Sequence, residues 1–398
     1  MKNSLKIAAL GLVALTMGFV SCEDAEYDVL GVHAFVSESA ANKNMKVTIT
    51  SAGAEAEITA CLSEAATQDT KLRFVIDTVA LQTYNTKQST SYVALPTDQF
   101  EMAQEVVIPA GAYSAPATKI HILPLKEEYV GETYALPLRL ESVDGSVPVT
   151  STTSSIVITT ESITISTLPK WVGRTGLTAE GFPVSLPQFT IEVQFQVSNT
   201  SNRNRDIFLN GGSVLLRFED PQNDNADFQA HSLIQFQGEG WYLNPKFAIT
   251  PNKWQHYALT YDGTKVAIYV NGALAGTKEG ICDPKFNTCG WFGGGDAGGG
   301  HGTSDPQWWR GCQILLKEAR LWSVCRSEAQ IANNMSTTSA KSNGLVGYWR
   351  MDQASTEVDS EGVARFKDYS GNGHTLVTGR PFEWIPNVSS VDVSTPWK

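Results

Sequence analysis

Two kinds of side chain in this sequence could do chemistry: paired carboxylates and aromatic rings set in loops. Cleaving a glycosidic bond takes two carboxylates about 5–10 Å apart, one to protonate the leaving oxygen and one to attack or to activate water. Beyond residue 185, Glu192 stands alone in one strand-like run and Glu318 in another. Glu219 and Asp220 precede Pro221 and read as loop, as do Asp224 and Asp227. No pair recurs at the two-residue period that puts side chains on one strand face. No Ser/His/Asp order, phosphate loop or metalloprotease helix is present. The sequence predicts a protein that is not an enzyme.

The aromatic candidates point to binding. Residues 290–311 form a long glycine-rich stretch that carries Trp308 and Trp309. A flat apolar ring with an N–H suits the CH face of a sugar, and nearby polar groups fix its orientation. Asp296, His301 and Arg310 are at hand for that, with Asp305 and Gln307. Neighbouring residues on a strand point to opposite faces, so the alternative is that the two rings cap the core, one inward and one outward. Trp241 and Tyr242 form a second candidate pair with the same alternative. The expected ligand is a glycan.

The elements that must hold these residues read as strands. Apolar residues make up 42% of the 398-residue chain and charged residues 18%, which excludes disorder. The net charge of −11 excludes generic nucleic-acid binding, since phosphates call for clustered Lys and Arg. Residues 22–168 hold 8 Lys and Arg against 19 Asp and Glu, whereas residues 169–398 hold 20 against 22. All ten Trp lie at or after Trp171. Two domains with different tasks follow. Runs such as LRFVID (72–77) and KIHILPL (119–125), with Pro at strand edges, predict an all-β sandwich over 29–162 with minimal helix. Asp77 and Asn85 there read as turn or capping groups. A linker is expected over 163–170. From 171 to 398 the strands are longer. Asp262-Gly263 and Asn271-Gly272 predict two tight turns joining three antiparallel strands. Ser327 and Gln330 have capping-box spacing, so one short helix is expected.

The N-terminal motifs FVIDTVALQTYN (74–85), YVALP (92–96), VVIPAGAYS (106–114) and YALPLRLESVDG (134–145) resemble a domain of unknown function common in Bacteroidetes polysaccharide-utilisation lipoproteins. That resemblance implies an immunoglobulin-like β-sandwich serving as a spacer, with no catalytic residue. WQHYALTYDG (254–263), YVNG (269–272), ARLW (319–322), GYW (347–349) and DYSGNG (368–373) resemble the laminin G-like, concanavalin A-like jelly roll, also called pentraxin-like. In that resemblance Trp254, Trp322 and Trp349 are core. The opening segment LPKWVGRTGLTAEGFPVS (168–185) departs from the family pattern. Asp368 matches a calcium ligand of relatives, with Asn372 as a helper, and the alternative is an Asx-type turn.

Residues 1–21 read as a signal peptide: Lys2 and Lys6, then an uncharged run too short to span a membrane. Phe-Val-Ser-Cys at 19–22 resembles a lipobox, which makes Cys22 the lipidation site, the alternative being ordinary signal-peptidase cleavage. The acidic residues of 22–28 resemble the export signal of Bacteroidetes surface lipoproteins, or are a solvated tether. These resemblances imply an outer-membrane lipoprotein facing the cell exterior, touching membrane only through its lipid. Its partners would be a glycan and other proteins of a polysaccharide-utilisation complex. An adhesin that binds protein, and less so a glycoside hydrolase, are the other readings. Cys282 and Cys289 bracket a short loop and could form a disulfide. Cys61, Cys312 and Cys325 read as small residues within or beside strands.

Overall fold

A computed structural model describes residues 31–41, 45–126, 129, 132–162, 165–219, 233–245, 247–295 and 306–389. The signal segment, the tether with Cys22, Asp296 and His301 lie outside them.

The N-terminal part is a β-sandwich, as expected. Its principal sheet runs in the order Met45–Ile49, Ser155–Ser162, Tyr134–Ser142, Thr70–Ile76 and Glu105–Ile108. A second sheet pairs Ala54–Ile58, Thr118–Ile122 and Phe100–Met102. The alternation is what a two-layer core requires: Leu72, Phe74, Ile120, Ile122, Leu138 and Leu140 point inward and are buried. The expectation of minimal helix fails at Thr78–Gln88, an 11-residue helix. Asp77 caps it by accepting from the Val79 and Ala80 N–H groups at 3.1 and 2.9 Å, and takes the Ser155 hydroxyl on its other oxygen. The helix buries only Leu81, so its sequence carries almost no 3.6-residue apolar period to betray it. Asn85 ties the far end down through Thr90 and Tyr92. Both residues are the capping and turn groups expected.

The C-terminal part is a two-sheet jelly roll. One sheet orders Ala273–Glu279, Lys265–Val270, Gln255–Tyr261, Phe189–Val197, Gln313–Trp322, Ile165–Val172 and Glu383–Ser389. The other orders Tyr242–Leu243, Leu233–Gln237, Leu215–Glu219, Arg205–Leu209, Gly290–Trp291, Leu177–Ala179, Leu376–Thr378, Ala364–Phe366 and Thr356–Val358. Ile165–Val172 is thus a strand between two others, not a linker. Trp171 in it is fully buried against Phe366 and Phe382. Asn271 and Gly272 both have positive φ, as the predicted hairpin turn demands. At Asp262-Gly263 only the glycine does, and the Asp262 carboxylate holds the turn by accepting from Thr264 and Lys265 N–H. Ser327 and Gln330 form the capping box of the short helix Glu328–Asn333. Trp254, Trp322 and Trp349 are buried, and so is Trp291.

Candidate functional site

The Trp308–Trp309 pair lies on a single helical turn, Pro306–Trp309, not at a strand start. Trp309 is not a sugar platform. It is wholly buried between Phe218 and Phe292, because the chain after the glycine-rich stretch must close the end of the jelly roll. Its indole N–H reaches Asp206 Oδ1 at 3.4 Å. Trp308 is half-buried, and its carbonyl accepts from Arg205 Nε at 2.6 Å. Arg310 is exposed at the end of the same turn.

Asp206 is fully buried, with Oδ2 accepting the Gly293 N–H at 3.1 Å. Burial pushes its carboxyl up to about 7, against the pull of these two donors and of the nearby Arg174 charge. Above Gly293 the surface opens into a cleft of about 380 Å³. Its lining is Arg174 and Arg380, Thr178 and Thr378, and the glycines Gly176, Gly293, Gly294, Gly295 and Gly379. Three strand ends supply it: Leu177–Ala179, Leu376–Thr378, and the chain leaving Gly290–Trp291.

The glycines are there because nothing larger fits. A Cβ on Gly294 would fall 1.8 Å from the Leu177 carbonyl oxygen. One on Gly293, where φ is +85°, would fall 2.4 Å from Arg174 Cβ. One on Gly176 would meet Arg380 Cγ at 2.9 Å. The two arginine stems therefore rest on bare backbone. Thr378 Oγ1 donates to the Thr175 carbonyl and accepts the Arg380 N–H, and Thr178 Oγ1 accepts the Gly295 N–H. These bonds hold the walls in register. Sequence reading missed every lining residue, since the residues come from three distant segments. The Gly293-Gly294-Gly295 run was the one visible signal.

The remaining candidates are placed as follows. Trp241 is half-buried. Its ring is wedged so tightly that a Cβ on Gly238 or Gly280 would come within 2.4 Å of it, and its N–H donates to the Ile281 carbonyl at 3.0 Å. Neighbouring Tyr242 is 43% exposed. Asp368 is buried and accepts from the N–H groups of Tyr348, Ser370 and His374, while the Asn372 amide donates to the Leu345 and Val346 carbonyls. This is the turn arrangement. Among the described residues no group of three or more His, Cys, Asp and Glu could hold a metal ion. Cys282 and Cys289 do not form the expected disulfide: both are free thiols buried in the apolar core. Burial pushes the Cys282 thiol up to about 12. Cys312 is buried, Cys61 half-buried within its strand, and Cys325 exposed.

Glu192 and Glu318 do come together, though not as a dyad. They lie on adjacent strands with Arg320 between them, hydrogen-bonded to both. Arg326 also pairs with Glu192, His256 Nε2 lies 3.2 Å from it, and the Tyr348 hydroxyl donates to Glu318 at 2.7 Å. Burial alone would raise the Glu192 pKa. The Arg326 and Arg320 charges and the His256 contact more than offset it and hold the carboxylate well below the usual range. A carboxylate clamped this way is a poor proton donor. Glu219, expected in a loop, ends a strand and pairs with Arg203 and Arg217.

With this geometry in place, comparison with known proteins assigns the fold. Residues 173–332 match the laminin G model of the concanavalin A-like lectin/glucanases superfamily. This is a concanavalin A-like domain. Residues 30–147 match the model of a family of N-terminal domains. A candidate carbohydrate-binding protein of Bacteroides ovatus is similar in fold to most of this chain. The TM-score is 0.54 at 20% identity, over 89% of this chain and 98% of that one. A pentraxin of Limulus polyphemus matches over 43% of this chain and 80% of its own, at 15% identity and a TM-score of 0.29. Domain 4 of an arabinanase from Geobacillus stearothermophilus, solved with arabinotriose, matches over 38% of this chain and 67% of its own, at 14% and 0.28. No curated protein matches the chain.

Proposed function

We propose that this protein binds carbohydrate through its concanavalin A-like domain, without cleaving it. The observation that carries this reading is the cleft between Arg174 and Arg380, a concave site with fixed walls and several hydrogen-bonding side chains. The fold shared with the Bacteroides ovatus candidate carbohydrate-binding protein supports it. The Glu192 carboxylate, held ionised by two arginines and so a poor proton donor, supports binding without hydrolysis. A glycan array probed with the protein tests this. Retention of at least one glycan family, with no product released from it, is the expected result. Binding to none, or release of shorter sugars, overturns it.

The chain would work at the cell surface as an outer-membrane lipoprotein anchored through Cys22, with the N-terminal sandwich as spacer and a polysaccharide-utilisation complex as its setting. The Phe-Val-Ser-Cys motif and the acidic residues after it support this. Cys22→Ala should abolish fatty-acid labelling and release the protein from the membrane fraction. Equal labelling of both forms contradicts it.

A further inference from the structure

Asp206 lies beneath the cleft floor with a hydrogen-bond donor on each of its oxygens. Oδ2 accepts the Gly293 N–H at 3.1 Å and Oδ1 the Trp309 indole N–H at 3.4 Å. The indole nitrogen sits close under the floor, 3.2 Å from where a Cβ on Gly293 would stand. The floor turn is strained. Phe292 has a φ of +47° and Gly293 one of +85°, and a bulky residue enters the left-handed region only where its surroundings hold it there. Phe292 is fully buried beside Trp309, its N–H donates to the Ile207 carbonyl, and its carbonyl accepts the Thr175 N–H. Asp206 thus joins the turn that makes the floor to the turn Pro306–Trp309 that closes the end of the domain.

Two influences on this carboxyl oppose each other. Gly293 and Trp309 are both donors, and a carboxyl that keeps its proton presents an O–H of its own, so it can serve only one of them well. The arrangement is that of the carboxylate. Complete burial favours the neutral acid and raises the pKa to about 7. Of the charged groups on the surrounding elements, Arg174 pulls that value down. Arg217 stands opposite Asp206 on the neighbouring strand, with its guanidinium on Asn204, Gln235 and Glu219. Arg205 turns to Asn199 and the Trp308 carbonyl.

We propose that Asp206 is a positioning residue for the cleft: its carboxylate holds Gly293 and Trp309 in place, and its protonation gives up one of the two and weakens carbohydrate binding. This rests on the carbohydrate-binding reading above and adds a regulation to that site. The longer contact, to the indole, gives first. The proton then settles on Oδ1, the turn Pro306–Trp309 loses its tie, and the floor loses its support. Binding strengthens as pH rises through the carboxyl's own value, whereas stability falls on the approach to it, because the unfolded chain ionises at lower pH.

The test has two readouts on the purified full chain in detergent. The first needs no ligand: nuclear magnetic resonance of protein labelled with 15N at Trp and Gly, from pH 5 to pH 8.5. The Trp309 indole and Gly293 amide signals should move together with a midpoint near pH 7, and stay still in Asp206→Asn. The second is an array of neutral and acidic polysaccharides probed at pH 5.5 and pH 8. Wild type should hold the same glycan about tenfold or more tightly at pH 8, the scale of one hydrogen bond to a charged group. Asp206→Asn should bind weakly and equally at both. Should Asp206→Asn fail to fold, Trp309→Phe takes its place: with one donor gone, the protonated carboxyl can serve the other, and the pH dependence should flatten. Signals indifferent to pH, equal wild-type binding at both pH values, or a pH dependence that survives in the variants overturns the inference and leaves the carbohydrate reading standing. Retention of no glycan at either pH overturns both.

Discussion

The Trp309 indole N–H faces the Asp206 carboxyl across 3.4 Å, directly beneath Gly293 and the cleft floor. One pair thus ties the closing turn of the jelly roll to the strand under the site. Asp206 sits on Arg205–Leu209, while Trp309 ends the short helix after the glycine-rich stretch. What Trp309 lost as a candidate sugar platform it supplies as support for the floor.

Asp206 should make stability depend on pH. Its folded pKa is raised, to about 7, above the ordinary carboxyl value. At acid pH below both values, folded and unfolded chains both hold the proton, and burying the neutral group is tolerated. As pH rises toward 7 the unfolded chain ionises first, so stability falls, by up to about 4 kcal/mol, and levels off above the folded value. Asp206→Asn should remove that slope. Melting curves from pH 4 to pH 8 check this; parallel profiles for the two proteins would count against it.

The tryptophan pair should divide sharply. Trp309→Ala opens a cavity among Phe218, Phe292 and Asp206 and should cost about 3–5 kcal/mol. Trp308→Ala, at a half-buried ring, should cost clearly less. Denaturant unfolding of both variants measures the difference, and equal losses would show that the two rings are equivalent.

The buried cluster around Glu192 should be fragile when one member is removed. Glu192→Gln leaves Arg320 and Arg326 without their shared counter-charge inside the protein, at about 3–5 kcal/mol. Sugar binding by the folded fraction should be unchanged, since none of these groups lines the cleft. A variant as stable as wild type would contradict this assignment.

Much of the architecture was legible in the sequence because strands whose alternate residues enter one apolar core write their period directly. Phe189–Val197 and Gln255–Tyr261 alternate core and opposite-face residues, and the Asn271-Gly272 turn announces itself by residue type. Thr78–Gln88 was illegible because a helix that buries one residue leaves no apolar stripe. Ile165–Val172 read as a linker because its partners, Gln313–Trp322 and Glu383–Ser389, are more than a hundred residues away. The cleft was invisible for the same reason: Arg174, Gly293 and Arg380 meet only once the sheet is assembled. Glu192 and Glu318 were sought on one strand, and they meet across two.

The cysteines give a prediction of their own. Cys282 and Cys289 are separate buried thiols, so a reductant should leave the melting temperature unchanged. Alkylation of the native protein should mark Cys325 well before Cys282, Cys289 or Cys312. A reductant-dependent drop in melting temperature would mean that a disulfide forms after all.

Asp368 should act as a turn anchor. Asp368→Ala strips the acceptor from three backbone N–H groups and should lower the melting temperature equally with and without a calcium chelator. A loss seen only when calcium is present would restore the metal reading.

The most direct measurement of the central claim fills the cleft without touching its charges. A Cβ on Gly379 would meet only Val363 Cγ2, at 3.9 Å, and the residue is exposed and lines the cleft, so Gly379→Trp adds a large ring at the cleft wall without a backbone clash. Glycan binding should be lost in Gly379→Trp while its melting temperature stays at the wild-type value. Undiminished binding by a fully folded Gly379→Trp protein would show that the glycan is held elsewhere.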